Sequence, residues 1–427
     1  MKPSLRKALI AHSLSKYDVF LFGFLAPILK PLFFPANDFI STLSVFASFA
    51  AGYLIRPLGA LYFGHLGDKT GRKNAFMKTI LFLIAPTFII GLLPGYKEIG
   101  ISASIIIILS RLVQGFGSGG EFSGVAVYST EMSSQDKIGF TGGIVRSVGF
   151  LGTALGTGIA SIMTLSFMPD WGWRITFIIG GIATLYSYYL RRKMSETQDF
   201  EAIKKKTNVE RKPILSVFKN HKKKILAIFL VSSCAYIHLY MSSIYVNSLY
   251  SRHLSLPHSY TLLISTGIML LWMLITPFAG RIADRVGVLK YLTYINFISL
   301  IITPLSFYFC LKNITFTSLL ELHICSSCIG AFFFGPVPAL FKTILPTNVR
   351  YSGTAMSNTL AQAILGGTAP FFATLFTKIA GTAIFSGVPV FLGSFLAIFG
   401  IKLCYTLCKG NTLSNLTHTK RLQQHAT

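Results

Sequence analysis

Long apolar stretches recur along the whole chain and are separated by short polar segments. A helix that crosses a membrane needs about 20 mostly apolar residues, and the pattern predicts twelve such helices. Their expected ranges are 15–34, 40–64, 74–94, 100–128, 139–165, 173–190, 225–250, 259–281, 290–311, 317–341, 352–377 and 382–407. The expected fold class is therefore an all-α polytopic membrane protein.

One long polar segment, residues 191–224, divides the predicted helices into six and six. We expect an N-terminal six-helix bundle over 1–190, a basic cytoplasmic linker, a C-terminal six-helix bundle over 225–408 and a short cytoplasmic tail over 409–427. The linker carries twelve basic residues. It is either a solvated connection that enforces topology or a surface that binds anionic lipid headgroups.

A short motif follows the second helix of each half. Three of its positions recur at an offset of 216 residues, as Gly64 and Gly280, Asp68 and Asp284, and Gly71 and Gly287. Such a duplication is typical of transporters that are built from two related bundles.

The composition excludes a soluble enzyme. Of the 427 residues, 52% are hydrophobic and only 12% are charged, whereas soluble domains carry about 25% charged residues. No nucleotide-binding P-loop is present, so ATP is not expected to drive transport. Cys325 and Cys328 form an isolated pair, which favours packing over a redox or metal role. We expect no enzyme activity, cofactor or metal.

Basic residues greatly outnumber acidic ones. The 39 Lys and Arg against 14 Asp and Glu give a net charge of +25. In a soluble protein this excess would suggest nucleic acid as a partner. Here 30 basic residues fall on one side of the predicted membrane and six on the other. Because Lys and Arg accumulate in cytoplasmic loops, we expect both termini in the cytoplasm and a lipid bilayer, not nucleic acid, around the protein.

Two charges interrupt the fourth predicted helix. Arg111 and Glu121 are ten residues apart, about 15 Å along a helix, so they cannot pair with each other. A charge at the membrane centre costs at least about 2.5–3.5 kcal/mol and marks a functional site by default. Glu121, a lone carboxylate in an apolar helix, is a candidate proton site. Arg111 is a candidate for binding a substrate carboxylate or perturbing the proton site. The alternative for each is a structural charge satisfied by its neighbours.

Arg146 lies in the fifth predicted helix, ahead of the small residues Gly149 and Gly152. Small residues permit close helix packing, and Arg146 is then expected to face a central cavity. A guanidinium favours a solute that carries a carboxylate. His238 and Tyr240 in the seventh helix are further candidates for the lining, with ordinary packing as the alternative.

Seven short motifs lie along the chain. They are Gly64-x-x-x-Asp68-Lys-x-Gly71-Arg72-Lys73, Arg56-Pro57-Leu58-Gly59, Arg111-x-x-Gln114-Gly115 with Gly119-Gly120-Glu121, Gly172-Trp173-Arg174, Gly335-Pro336-Val337-Pro338, Pro346-Thr347-x-x-Arg350-Tyr351-Ser352-Gly353 and Gly366-Gly367-x-x-Pro370. Together they resemble the motifs of the major facilitator superfamily, and within it those of the bacterial metabolite:proton symporters, which include proline/betaine and 2-oxoglutarate permeases. The resemblance spans nearly the whole chain. It implies the twelve-helix fold of two bundles around a central site, to which Gln114 is a further candidate contributor.

The repeated loop motif is expected to act as a conformational latch. The Asp68 carboxylate can accept hydrogen bonds from the first N–H groups of helix 11, near Tyr351–Thr354, when the cytoplasmic side is shut. Asp284 is expected to do the same against helix 5. Gly64 and Gly71 belong to the motif, and Arg72 and Arg285 can add ion pairs. The alternative is a tight Gly-Asp turn with solvated charges.

Three positions depart from the family pattern. In helix 1 the chain keeps Asp18, but Ser15 and Lys16 occupy the places of an acidic residue and a Trp; in helix 10 Thr343 stands where the family has Glu. His12 or Asp18 is then a candidate for the lost protonation.

The function expected from the resemblance is proton-coupled symport of a small zwitterionic or carboxylate metabolite, such as proline, betaine or a dicarboxylate like 2-oxoglutarate, in a bacterial inner membrane by a monomer. A passive facilitator and a non-transporting sensor of the same fold are the alternatives. The solute, the coupling ion and the direction of transport stay open at this point.

Overall fold

The computed structural model describes residues 2–18, 21–35, 51–165, 167–206 and 209–424, and this part contains helices and no β-strand. The α-helices are α1 (Pro3–Lys16), α2 (Leu21–Phe24), α3 (Ala26–Phe33), α4 (Arg56–Thr70), α5 (Arg72–Leu92), α6 (Tyr96–Ile99), α7 (Ile101–Met132), α8 (Ile138–Met163), α9 (Gly172–Arg192), α10 (Gln198–Lys205), α11 (Pro213–Asn220), α12 (Lys222–Tyr240), α13 (Asn247–Leu254), α14 (His258–Val286), α15 (Val288–Lys312), α16 (Phe316–Phe334), α17 (Val337–Ile344), α18 (Arg350–Leu360), α19 (Gly367–Ala380) and α20 (Val388–Gln424). Short π-helical turns join α12 to α13 and α18 to α19.

Nine helical segments in the described part are long and apolar enough to cross a membrane. They correspond to the predicted helices 3 to 5 and 7 to 12, and α9 corresponds to the sixth. The predicted second helix ends in α4, and its first part, up to residue 50, lies outside the described residues. Large apolar side chains such as Leu54, Phe309 and Phe371 are more than half exposed, as expected for a surface that contacts lipid.

The first predicted helix differs from the structure. The chain is already helical from Pro3, twelve residues before the expected start at residue 15, and the first helix ends at Lys16, ahead of α2 and α3. Proline is favoured in the first turn of a helix. Leu5, Ala8 and His12 recur at helical spacing and are buried. The helix α1 therefore packs into the protein although the hydropathy of its sequence is low.

The linker is more ordered than a solvated connection. It contains α10 and α11, and the side chains of Met194, Phe200 and Val217 are buried. Basic residues dominate the sequence of this segment, so its few apolar residues did not indicate that it packs against the helices.

The two halves, α1–α9 and α12–α20, meet along two pairs of helices. In one pair, α8 packs against α14, and Ser147, Thr157 and Ser161 donate or share hydrogen bonds with α14 along its length. In the other pair, α4 packs against α18. The space that remains between the halves holds the candidate site.

Candidate functional site

Asp68 connects the end of α4 to the start of α18 in the other half. Its side chain is fully buried, and its carboxylate accepts hydrogen bonds from the backbone N–H groups of Tyr351 (3.0 Å) and Ser352 (2.8 Å). The first N–H groups of a helix have no partner within the helix, and a helix N-terminus favours negative charge. The contact has the geometry expected from the sequence, and its role as a latch remains a proposal.

Asp284 makes the corresponding contact at the end of α14. Its carboxylate accepts hydrogen bonds from the backbone N–H groups of Gly139 (2.6 Å) and Phe140 (2.7 Å) at the start of α8. Arg285 is exposed and forms no ion pair within the described part of the chain, so the expected ion pair of Arg285 is not found there. We call the bonds of Asp68 and Asp284 the closing contacts.

Two glycines of the motif have clear structural reasons. A Cβ atom at Gly64 would lie 2.8 Å from the Cα of Ser352, so α4 and α18 approach each other backbone to backbone. Gly71 joins α4 to α5 with a φ of 114°, a conformation that favours glycine.

Arg72 extends the Asp68 contact into a charged network. Its fully buried guanidinium lies 3.3 Å from the Asp68 carboxylate and 3.2 Å from that of Glu131 at the end of α7. Glu131 also binds Arg350 of the other half at 2.7 Å. The sequence analysis missed Glu131 because the fourth helix was expected to end at residue 128. An acid one turn beyond that end was the available signal.

The linker also reaches this network. The Glu196 carboxylate accepts hydrogen bonds from the backbone N–H groups of Arg72 (3.1 Å) and Lys73 (3.2 Å) at the start of α5. Asp199 binds Arg350 at 3.1 Å. Burial raises the pKa of the Glu196 carboxyl above its usual range. Two acidic residues of the linker therefore bind it to the two halves, in addition to its buried apolar side chains.

Glu121 lies inside the N-terminal half among basic side chains. Its carboxylate is 2.9 Å from Lys16 Nζ, 3.0 Å from Arg191 Nη2 and 2.9 Å from His12 Nδ1. The Ser15 hydroxyl donates a further hydrogen bond at 2.7 Å. The interpretation of Glu121 as a lone carboxylate is therefore wrong, because side chains of α1 and α9 compensate its charge.

Arg191 is a residue that the sequence analysis placed in the linker. It is instead fully buried in α9, where its Nη1 donates hydrogen bonds to the backbone oxygen of Phe76 (2.7 Å) and to Thr79 Oγ1 (3.0 Å). The helix continues two residues beyond the expected end at 190, and this extension carries the basic side chain back towards Glu121.

Asp18 belongs to a second polar cluster. Its carboxylate accepts hydrogen bonds from the Thr87 hydroxyl and from Gln114 Nε2 (3.0 Å). Gln114 Oε1 in turn accepts a hydrogen bond from Arg111 Nη1 at 2.8 Å. Three of the predicted site residues, Asp18, Arg111 and Gln114, are thus brought together, but Asp18 forms no ion pair within 4.0 Å among the described residues.

A cavity of about 70 Å³ lies between the two halves. The N-terminal half contributes four basic side chains to its lining, His12, Lys16, Arg56 and Arg146, together with the aromatic rings of Phe122 and Phe150. The C-terminal half contributes Tyr236, Leu239, Phe334 and Gln362. Within the described residues, the lining contains no acidic side chain.

Arg146 occupies this cavity as expected. Its guanidinium lies between the rings of Phe122 and Phe334, with its Cζ atom 3.6 Å from each ring centroid, and Nη1 reaches the Tyr236 hydroxyl at 3.5 Å. The side chain is 6% exposed, and its Nε and Nη2 atoms have no hydrogen-bond partner among the described residues. Donors are therefore available for a bound molecule.

His238 does not line the cavity, which corrects that expectation. It is buried within the C-terminal half, with one ring nitrogen near the backbone oxygen of Cys234 (2.9 Å) and the other near the Ser299 hydroxyl (2.8 Å). Tyr240 accepts a hydrogen bond from Gln362. In the described part of the chain no three His, Cys, Asp or Glu side chains are placed to hold a metal ion.

Comparisons with known proteins match most of the length of the chain and agree on the kind of protein. A sequence profile of the Major Facilitator Superfamily matches residues 8–370. The chain is 29% identical over 398 residues to the citrate-proton symporter of Klebsiella pneumoniae, covering 92% of this chain and 88% of that protein. It is 30% identical over 386 residues to the proline/betaine transporter of Escherichia coli (strain K12), covering 85% of this chain and 76% of that protein.

Solved structures show the same fold at low sequence identity. The proton:xylose symporter XylE bound to 6-bromo-6-deoxy-D-glucose superposes with a TM-score of 0.76 at 13% identity, covering 95% of both chains. The transporter FucP in its outward conformation gives a TM-score of 0.66 at 16% identity, covering 93% of this chain and 98% of that one.

Proposed function

The chain belongs to the major facilitator superfamily, and from this premise we propose that it is a proton-coupled symporter of a small carboxylate or zwitterionic metabolite. Members of the superfamily are membrane transporters, so the chain is a multi-pass secondary transporter of twelve helices in two six-helix bundles and not an enzyme. The solute class of the proposal comes from the citrate and the proline and betaine in the names of the relatives.

The cavity between the halves is the observation that carries the proposal. Both halves contribute to its walls, and the closing contacts join the halves on one side of it. A solute site that two rigid bundles enclose can open to either side when the bundles rock against each other. This arrangement supports transport by alternating access.

The placement in the cell is part of the same proposal. The 30 basic residues on the side of the closing contacts support a cytoplasmic location of that side and of both termini. We place the protein in a bacterial inner membrane as a monomer, with the two bundles over residues 1–192 and 222–408 and the cytoplasmic linker between them over 193–221.

Asp18 is the better candidate for the proton site. Of the two candidate acids, Glu121 has three basic partners within 3.0 Å, whereas Asp18 has hydrogen bonds and no ion pair among the described residues. A carboxylate without a direct counter-charge changes its protonation at a smaller cost than one held by several cations. Arg111 can adjust that charge through Gln114.

Uptake into proteoliposomes tests the function. Purified protein is reconstituted, and accumulation of radiolabelled citrate, 2-oxoglutarate, proline and betaine is followed under an inward proton gradient. We expect at least one of them to be concentrated, and a protonophore to abolish the accumulation. If the solute only equilibrates across the membrane without accumulating, and a protonophore does not change this, the protein is a passive facilitator instead.

Replacement of Asp18 tests the proton site separately. We expect Asp18→Asn to lose proton-driven accumulation but to retain exchange of labelled for unlabelled solute, because exchange needs no net proton movement. Asp170→Asn, which alters an exposed acid, is the matched control. Normal accumulation by Asp18→Asn would assign the proton to another group.

A further inference from the structure

The charges around the cavity are distributed very unevenly. Lys16, Arg56 and Arg146 line it from the N-terminal half, with His12 beside them. Arg191 lies just behind, in contact with Glu121. Glu121 is the one acid that touches this group within the described residues, so four permanent positive charges face a single negative one.

The C-terminal half supplies no charge to balance this excess. Its contribution to the lining consists of Tyr236, Leu239, Phe334 and Gln362. The Asp18 and Arg111 cluster does not help, because its own two charges offset each other through Gln114. The cavity therefore holds an excess of about three positive charges that protein groups of the described part leave uncompensated.

The position of Arg146 shows where a negative group would bind. Two of its guanidinium nitrogens have no partner among the described residues although the side chain is 94% buried, and aromatic rings on both faces fix its plane. A guanidinium held in this way presents its edge to a planar carboxylate. Arg56 is restrained by the ring of Tyr53, with its Cζ 3.7 Å from the ring centroid, and its Nε also has no partner in the described part.

We propose that the transported solute is a polycarboxylate anion with two or three negative charges, bound by Arg146, Arg56 and Lys16 of the N-terminal half. This inference rests on the proposed function and narrows its solute class. A zwitterion such as proline brings no net charge and leaves the excess uncompensated. A monocarboxylate satisfies only one of the cations. The uncharged wall of the C-terminal half then closes over the apolar part of the anion through Phe334 and leaves the carboxylates to the other half.

Graded ligands test the charge requirement directly. The purified full chain in detergent is titrated by calorimetry with acetate, succinate, tricarballylate, citrate, proline and glycine betaine as potassium or neutral forms at matched ionic strength. We expect affinity to rise at least tenfold from acetate to succinate and again towards the tricarboxylates, with proline and betaine weaker than succinate. The same solutes are then followed as uptake substrates in proteoliposomes.

Variants locate the effect in the cavity. We expect Arg146→Gln to weaken tricarballylate binding at least tenfold and acetate binding much less. Arg146→Lys keeps the charge but loses the planar guanidinium, and we expect it to weaken tricarballylate binding less than Arg146→Gln does. Arg192→Gln removes an exposed charge next to buried Arg191 and is expected to bind like the parent chain. Arg56→Gln provides a second measurement should Arg146→Gln not fold.

The outcomes separate the two proposals. Binding and uptake of proline or betaine at least as strong as those of the polycarboxylates would overturn the charge requirement and leave the symporter proposal standing. An equal loss of affinity for all carboxylates in Arg146→Gln would also overturn it. Failure to bind or transport any of the solutes would overturn both.

Discussion

Glu121 and Asp18 are both buried acids, and the difference between them lies in residues that are distant in the sequence. The pattern identified both as charges in apolar helices. The partners of Glu121 come from α1 and α9, and Arg191 lies 70 positions away. Helical spacing locates residues on one helix but carries no information about which other helix faces them. The sequence therefore indicated which charges lie in apolar segments, whereas the pairing of those charges was not predictable.

Removal of the Glu121 charge is expected to destabilise the N-terminal half. In Glu121→Gln, Lys16 and Arg191 lose their counter-charge, and breaking one side of a buried ion pair costs about 3–5 kcal/mol. The variant should unfold at a lower temperature in detergent and accumulate less in the membrane.

A double variant separates this effect from a role in proton transfer. Glu121→Gln combined with Arg191→Gln removes both partners and should recover part of the lost stability, with a coupling free energy of about 1 kcal/mol or more. Additive losses in the two single variants would mean that the Glu121–Arg191 pair does not stabilise the protein.

At the scale of helices, the loop motif explains how α4 and α14 meet the opposite half. Each ends with an acid that accepts hydrogen bonds from the first N–H groups of a helix in the other half. The repeat at an offset of 216 residues predicted both partners, because a duplicated motif places equivalent groups at equivalent positions. The network of Glu131 and Arg350 depended on the true end of α7 and was not predictable from the apolar pattern.

Asp68→Asn tests the closing contact of α4. The neutral side chain loses the interaction of a charge with the N-terminus of α18, which is worth up to about 2 kcal/mol in a buried setting. This corresponds to a shift of about 30-fold in the balance between closed and open forms. We expect uptake to fall sharply at unchanged membrane insertion. Asp170→Asn, in an exposed loop, serves as control, and near-normal uptake by Asp68→Asn would contradict a latch.

Gly64→Ala tests the close approach of α4 and α18. The added methyl group would lie 2.8 Å from the backbone of Ser352, so the helices have to separate and the closed state should become less populated. Gly267→Ala introduces the same group where nothing lies within 4 Å. We expect transport to decrease in the first variant and stay normal in the second, measured as initial uptake at equal protein levels. Equal uptake by both would mean that the close contact is dispensable.

At the scale of the whole molecule, apolar pattern and charge asymmetry predicted the class of fold. The expected ranges of helices 3 to 12 agree with the structure within a few residues at most ends. The first helix was misjudged, because α1 is buried through small and polar residues such as Ala8 and His12 that hydropathy does not register. The order of the linker was not predicted for a related reason, because only three apolar residues among its many charges are buried against the helices.

The orientation of the chain gives a prediction at this scale. With 30 basic residues on one side, a fluorescent protein fused after residue 427 should fluoresce in bacterial cells, and alkaline phosphatase at the same place should be inactive. A phosphatase fusion after Arg252, in an expected external loop, should be active. The reverse result at both positions would invert the topology.

The contact between α8 and α14 has a mechanical consequence. At one end Gly139 and Gly280 lie against each other so closely that a Cβ on either would collide with the backbone of the other. Because no side chains interlock at this point, the two helices can pivot there. At the opposite end a few hydroxyl bonds, such as that between Thr157 and Thr266, join the helices, and each is worth only about 1 kcal/mol. The part of α14 between Gly280 and its start at His258 is about 33 Å long. A tilt of about 10° around the glycine pair therefore moves that start by about 6 Å, a gap as wide as a small metabolite.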